Sequence, residues 1–173
     1  GGRPLNGTVT PSGNKNAALP LIAATLLTDE PVTLHNVPAI VDVQNLCELM
    51  TTLGVEITSP AAGALQFRGG NVQPAALDTE LCRAIRASIL LAGPLLARFG
   101  KVELPPPGGD VIGRRRLDTH LLALEALGAD VSLDGRLRMK AKELAGVDML
   151  LDEMSVTATE NALRSAEIAA LSL

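Results

Sequence analysis

Two long stretches, residues 16–27 and 81–97, are apolar on most faces. That pattern predicts helices enclosed by other elements rather than lying on a wet surface. Pro20 and Pro94 interrupt them, which predicts kinks or late helix starts. Elsewhere the period changes. Val55-Glu-Ile57 and Val131-Ser-Leu133 alternate apolar with polar, as half-buried strands do. Gly54 and Gly128 each follow a leucine at the end of a helical pattern, where a left-handed residue closes a helix at little cost. Leu133-Asp-Gly-Arg-Leu137 sets Asp-Gly between short apolar runs, a hairpin signal.

These elements recur. The first unit holds Val32-Thr-Leu34, a proline loop at Asn36-Val-Pro38, Asp42, a helix ending at Leu53-Gly54 and the strand Val55-Glu-Ile57. The second holds Val102-Glu-Leu104, a Pro/Gly loop, Asp118, a helix ending at Leu127-Gly128 and the strand Ala129-Asp-Val131. Each opens with one of the buried helices. The expected order per unit is helix, strand, loop, helix, strand, strand. A third opening begins at Ala158-Thr-Glu-Asn161. The units are placed at about 8–77, 78–147 and 148–173. The end of the chain inside an apolar, helix-like pattern reads as a truncated third unit.

Composition narrows the chemistry. The chain has 173 residues, enough to bury a real core, and 47% are hydrophobic, nearly all aliphatic. There is no Trp or Tyr, which argues against stacking platforms for single-stranded nucleic acid. A net charge of -4 argues against a general nucleic-acid or membrane surface, so the arginines read as local tools. Cys47 and Cys82 lack a CxxC partner and sit in apolar surroundings, as buried small hydrophobes rather than nucleophiles. No apolar run reaches the ~20 residues of a membrane span and no signal peptide is visible, so the expected compartment is the cytoplasm. No metal or cofactor is called for.

Candidate chemistry gathers at four places. Pro105-Pro-Pro-Gly-Gly-Asp110 puts a carboxyl at a loop tip, followed by Arg114, Arg115 and Arg116, then Asp118 and His120. A possible acid, a guanidinium block and a hydrogen-bonding pair suit a phosphorylated substrate; a solvated turn is the plain alternative. To act as a general acid Asp110 must hold its proton near neutral pH. The arginines oppose that, and a bound phosphate would offset them. Ser12-Gly-Asn-Lys-Asn16 precedes a helix, where backbone N–H groups beside Lys15 bind anions or Ser12 or Asn14 simply caps. Arg86 lies within an apolar helix and needs a partner or a ligand. Ser155-Val-Thr-Ala-Thr159 either offers hydroxyls and amides to a phosphate or caps the third helix. Asp42 and Asp118 are expected N-caps, and His120 reads as structural more readily than catalytic. His35 is given no role.

Taken in order, Ser12-Gly-Asn-Lys-Asn-Ala-Ala-Leu-Pro20, Arg86-Ala-Ser-Ile89, Gly93-Pro-Leu-Leu-Ala-Arg-Phe-Gly100, Pro107-Gly-Gly-Asp-Val-Ile-Gly-Arg-Arg115 and Asp118-Thr-His120 resemble the enolpyruvyl transferases, along nearly the whole chain. The resemblance implies an inside-out α/β barrel of repeated βαβαββ units, helices inside and sheets outside, of which this chain is one partial domain lacking its companion domain. It implies transfer of the enolpyruvyl group of phosphoenolpyruvate to the 3-hydroxyl of UDP-N-acetylglucosamine with release of phosphate, the first committed step of peptidoglycan synthesis. By the same resemblance Lys15, Arg86 and Arg115 surround phosphoenolpyruvate, and Asn16 holds the sugar. Asp110 takes a loop position that is Cys in many members, implying resistance to fosfomycin. Arg116, Leu117, Asp118, Thr119 and His120 cover the uridine stretch, and Ser155, Val156 and Thr157 the diphosphate turn.

Three residues depart from the family pattern: Arg116 where Pro is usual, Thr157 where Gly is usual, and Glu153 where Lys is frequent. Thr157 is expected to crowd the diphosphate and Glu153 to repel it. A shikimate 3-phosphate enzyme and a non-catalytic binding module are the alternatives. The isolated chain is expected to be inactive and, with its inner surface uncovered, to self-associate.

Overall fold

The computed structural model describes residues 2–74, 77–108 and 117–171, with side chains to residue 166. Helix α1 (Lys15–Ala24) runs into a 3-10 turn (Thr25–Leu27), then strand β1 (Val32–Leu34), helix α2 (Val41–Thr52) and the hairpin β2 (Glu56–Ala61) and β3 (Ala64–Arg68). The order then repeats. Helix α3 (Thr79–Ala84), a 3-10 helix (Arg86–Leu91) and α4 (Ala92–Phe99) precede β4 (Lys101–Leu104), α5 (Asp118–Ala126) and the hairpin β5 (Asp130–Asp134) and β6 (Arg136–Lys140). Helix α6 (Val156–Leu171) follows.

The two three-stranded antiparallel sheets share one topology. Their orders are β1-β3-β2 and β4-β6-β5, so the last strand of each unit lies in the middle. Val32 faces Phe67 and Leu34 faces Leu65 in the first sheet; Val102 faces Met139 and Leu104 faces Leu137 in the second. Alternation along β6 puts Leu137 and Met139 into the core and leaves Arg138 and Lys140 in solvent. The helices supply the centre. Ile22, Leu26, Leu46, Leu49, Ile89, Leu90, Leu91, Leu95 and Leu96 are all buried, and no aromatic residue except Phe67 joins them in full burial.

Gly54 (φ +94) and Gly128 (φ +103) follow the ends of α2 and α5 in the left-handed region. In each case the next amide returns to the helix, Val55 N to Met50 O and Ala129 N to Leu124 O. A side chain at Gly54 would also meet Asn71 O at 2.6 Å, so this turn accepts only glycine. The Asp-Gly hairpin is formed, with Asp134 paired to Arg136. Arg98 pins the units together. Its guanidinium donates to Leu26 O (2.9 Å) and Gly69 O (3.1 Å), pairs with Asp29, and lies 5.0 Å from the Phe99 ring centroid.

Three expectations need correction. The stretch 81–97 is not one helix: Ile85 is extended (φ -137°, ψ 140°) and separates α3 from the 3-10 helix. Ser88 Oγ donates to both Cys82 O (3.2 Å) and Ile85 O (3.1 Å), which satisfies carbonyls opened by the break. Pro94 falls in the first turn of α4, where its missing N–H costs nothing. The leading strand of a βαβαββ unit is not formed among the described residues of either unit. A strand needs a paired edge, and Leu5 and Val9 before α1 lie exposed without one. Finally, Asp42 and Asp118 are not N-caps; they lie inside the first turns of α2 and α5, where negative charge still favours the helix.

Candidate functional site

Helix N-termini from three successive units meet at one cleft. Lys15 opens α1, Arg86 opens the 3-10 helix that leads into α4, and Val156 opens α6. The cleft has a volume of about 460 Å³ and is lined by Lys15, Asn16, Arg86, Val156 and Thr157, together with Pro20, Asp42, Ile89 and Glu160. Convergent helix starts favour an anion, because unpaired amides and aligned peptide dipoles both present positive charge there. Five residues singled out in the sequence are therefore neighbours in space, although they span 143 positions of chain.

The three starts are built differently. At α1 the Asn14 side chain accepts from Asn16 N (2.7 Å) and Ala17 N (3.3 Å). Of the two open alternatives this is capping, and it occupies amides that an anion would otherwise use. Lys15 is not merely solvated, since its Nζ lies 2.9 Å from Asp42 Oδ1. Gly13 lets the preceding loop close: a Cβ there would lie 1.8 Å from Asn36 O. Pro20 removes the amide that would bond the Asn16 carbonyl within the helix, and both residues line the cleft.

At the second start, the extended Ile85 turns the backbone so that Arg86 reaches the cleft half-buried rather than pointing into the core. At the third, Ser155 Oγ accepts from Ala158 N (3.3 Å), so its hydroxyl is a cap. The amides of Val156 and Thr157 belong to the first turn, which has no intrahelical acceptor for them.

Behind α6 lies a buried polar network. His120 is 1% exposed. Its Nδ1 lies 2.9 Å from Asn161 Nδ2 and its Nε2 lies 3.2 Å from Thr157 Oγ1. Asn161 Nδ2 also donates to Ile89 O (2.9 Å), and its Oδ1 accepts from Gly93 N (3.4 Å). Beside it, Thr119 Oγ1 donates to Asp152 Oδ1 (2.7 Å). Burial pushes the His120 pKa down to about 4, and the positive charge of Arg86 adds to the effect. The ring is neutral near pH 7. The structure thus takes the side chains of Thr119 and His120 into the interior, while Leu117 packs against the core.

Thr157 does not project its hydroxyl freely into the cleft, because the hydroxyl meets His120. Glu153 is exposed and does not line the cleft. Asp110, Arg114, Arg115 and Arg116 lie outside the described residues. Cys47 is half-buried and Cys82 buried; both are free thiols whose pKa values burial pushes up to about 11. Among the described residues no cluster of His, Cys, Asp or Glu could hold a metal ion, and no helix is long and apolar enough to cross a membrane.

Two cleft residues escaped the sequence reading. In the sequence Asp42 reads as a cap; only the packing of α2 beside α1 shows that it reaches Lys15. Glu160 stands one turn after Val156 on the same face of α6, a spacing that was visible. Desolvation raises its pKa, while Arg164 acts in the opposite direction.

Comparison with known proteins gives the family. Residues 1–170 match the family model of EPSP synthase (3-phosphoshikimate 1-carboxyvinyltransferase). The chain is 61% identical over 166 residues to a UDP-N-acetylglucosamine 1-carboxyvinyltransferase of Bradyrhizobium diazoefficiens, covering 96% of this chain and 38% of that protein. It is 52% identical over 169 residues to the protein of the same name in Treponema denticola, covering 98% of this chain and 40% of that one. The chain therefore spans about two-fifths of the length of these relatives. Among solved structures, the enolpyruvyl transferase NikO from Streptomyces tendae superposes with a TM-score of 0.73 at 25% identity, covering 98% of this chain and 39% of that one. EPSP synthase from Acinetobacter baumannii gives 0.71 at 18% identity, over 92% and 37%, and supports the fold alone. With its model matched along nearly the whole chain, this protein belongs to the EPSP synthase family of enolpyruvyl transferases.

Proposed function

We propose that the protein carrying this chain transfers the enolpyruvyl group of phosphoenolpyruvate to the 3-hydroxyl of UDP-N-acetylglucosamine and releases phosphate. The observation that carries this reading is the single cleft gathering Lys15, Asn16, Arg86, Val156 and Thr157. Two cations and the open first amides of α6, in a cleft of that size, suit a compact substrate with two anionic groups beside a diphosphate. The names of the relatives favour the nucleotide sugar as acceptor.

In this reading Lys15 and Arg86 hold phosphoenolpyruvate together with Arg115, and stabilise the charge that develops as the acceptor oxygen adds to its C2. Asp110 supplies the proton that the methylene carbon takes up, giving a tetrahedral phospholactoyl intermediate. Loss of phosphate from C2 and of a proton from C3, the carbon protonated in the first step, then regenerates the enol ether. Asn16 orients the sugar. The stretch Arg116, Leu117, Asp118, Thr119 and His120 holds the uridine through its backbone and exposed atoms, and Ser155, Val156 and Thr157 hold the diphosphate. Asp110 in place of Cys forms no stable thioether, so fosfomycin does not inactivate the enzyme. The reaction serves peptidoglycan synthesis, and through it cell shape and division, in the cytoplasm. The chain by itself is inactive and self-associates, because catalysis needs groups from a companion domain and a closed cleft. The repeat boundaries near residues 77 and 147 belong to the same proposal.

Phosphate release from phosphoenolpyruvate by the full-length protein is the test. Release with UDP-N-acetylglucosamine, and not with shikimate 3-phosphate or without acceptor, is expected. Release only with shikimate 3-phosphate replaces the acceptor, and no release with either leaves a binding module.

A further inference from the structure

We propose that His120 is a positioning residue for the diphosphate end of the cleft: its ring holds the Thr157 hydroxyl on the protein side, so that the first turn of α6 offers the Val156 and Thr157 amides to the substrate. This rests on the reading of the cleft as the nucleotide-sugar site.

The tautomer follows from the contacts. A neutral imidazole has one N–H donor and one acceptor. Asn161 Nδ2 spends its two hydrogens on Ile89 O and on His120 Nδ1, each at 2.9 Å. His120 Nδ1 is therefore the acceptor, Nε2 carries the proton, and Nε2–H donates to Thr157 Oγ1 at 3.2 Å. The ring is 1% exposed and is absent from the cleft wall, whereas Thr157 lines it. The His120 ring reaches the diphosphate end of the cleft only through Thr157. Rotating Thr157 about χ1 would leave a buried N–H without an acceptor, so one side-chain rotamer is selected.

The anchor behind the ring is rigid. Asn161 ties it to Ile89 O in the 3-10 helix and to Gly93 N in α4. Gly93 has no room for a side chain, since a Cβ would lie 2.7 Å from Asn161 O. Asn161 thereby fixes the start of α6 relative to the start that carries Arg86. At the start of α6 Ser155 Oγ takes the Ala158 amide, which leaves the first two amides of the turn for the substrate.

The test uses the full-length protein and four variants. T157V keeps the shape of the side chain and removes the hydroxyl; T157S keeps the hydroxyl. H120Q replaces the ring, and the double variant T157V/H120Q closes the cycle. The expected result is a KM for UDP-N-acetylglucosamine raised about tenfold in T157V and H120Q, with kcat within about threefold of the parent. T157S returns close to the parent, and the double variant is no worse than the poorer single one. Long-range ¹H–¹⁵N spectra show an Nε2–H tautomer for His120, with its proton displaced in T157V and not in T157S.

An unchanged KM in both T157V and H120Q, or equal damage in T157S and T157V, overturns the proposal. Should the parent give no turnover with the nucleotide sugar, the proposed function fails and inorganic pyrophosphate affinity by calorimetry becomes the readout. The same ranking of variants then keeps the positioning role, and equal affinities remove it.

Discussion

The first and second units share one order of elements and one sheet topology, yet they deliver a cation to the cleft by different means. In the first, α1 starts cleanly under an Asn14 cap and Lys15 is held by Asp42 at 2.9 Å. In the second, the backbone must break at Ile85 before Arg86 can begin the inner 3-10 helix. A cap and a carboxylate place one charge; one extended residue between two helices places the other. The lesson is that a repeat conserves the position of a helix start while the local chemistry of that start is free to differ. Each start can then be tuned to a different part of a substrate.

Removing the two cations gives the sharpest contrast. In the full-length protein, K15A and R86A are each expected to lower kcat/KM for enolpyruvyl transfer about a thousandfold, or ~4 kcal/mol of transition-state stabilisation. Thermal unfolding separates them. K15A leaves the midpoint nearly unchanged, because an exposed ion pair contributes little. R86A lowers it, because Arg86 is half-buried within the second unit.

Next in size is the contact that brings in the third start. G93V places atoms where Asn161 O and Ser165 Oγ stand, at 2.7 and 2.9 Å from a Cβ. It should cost at least about 3 kcal/mol. Limited proteolysis should then cut ahead of α6 while the first unit stays protected. An equivalent change on the solvent face of α1, L21A, should do neither, as Leu21 is 53% exposed.

Acid separates the units as well. The His120 pKa is lowered to about 4 in the folded protein, against about 6.5 when unfolded. Its neutral form is favoured by folding, so its contribution is complete above about pH 6.5 and is lost as pH falls toward 4. The loss approaches about 3 kcal/mol at the lower limit. Denaturant midpoints measured from pH 7 to 4 should fall for the parent, with a shallower slope in H120Q. An equal slope would remove His120 as the cause.

The smallest effect compares two caps. Asn14 accepts two amides at α1 and Ser155 one at α6. N14A should destabilise by about 1 kcal/mol and S155A by about half as much, both read from urea unfolding.

Much of this arrangement was legible beforehand. The alternation in Val131-Ser-Leu133, the Asp-Gly hairpin and the closing glycines Gly54 and Gly128 are local signals that sterics enforce wherever the chain goes, and β5, β6 and both helix ends formed as read. Lys15, Asn16, Arg86, Val156 and Thr157 stand out in the sequence and lie in one cleft. The break at Ile85 was hidden because an unbroken apolar run fits one helix or two; Ser88, folded back onto Cys82 O and Ile85 O, pays for the interruption from tertiary position. Asp42 was hidden for a related reason. Its partner is 27 residues away, and sequence gives a carboxylate at a helix start no cue to reach outward. Thr157 was expected to obstruct the cleft, and the buried ring that takes its hydroxyl could be known only after α5 met α6.

The measurement that bears most directly on the convergence of three helix starts is amide chemical-shift mapping of the labelled full-length protein. UDP-N-acetylglucosamine and phosphoenolpyruvate would be added in separate titrations. The account predicts that Val156 and Thr157 respond first to the nucleotide sugar, Lys15 and Arg86 to phosphoenolpyruvate, and all four to saturation with both. Shifts confined elsewhere would contradict it, for example in the separate apolar cleft of about 320 Å³ lined by Val37, Val43, Cys47 and Leu65.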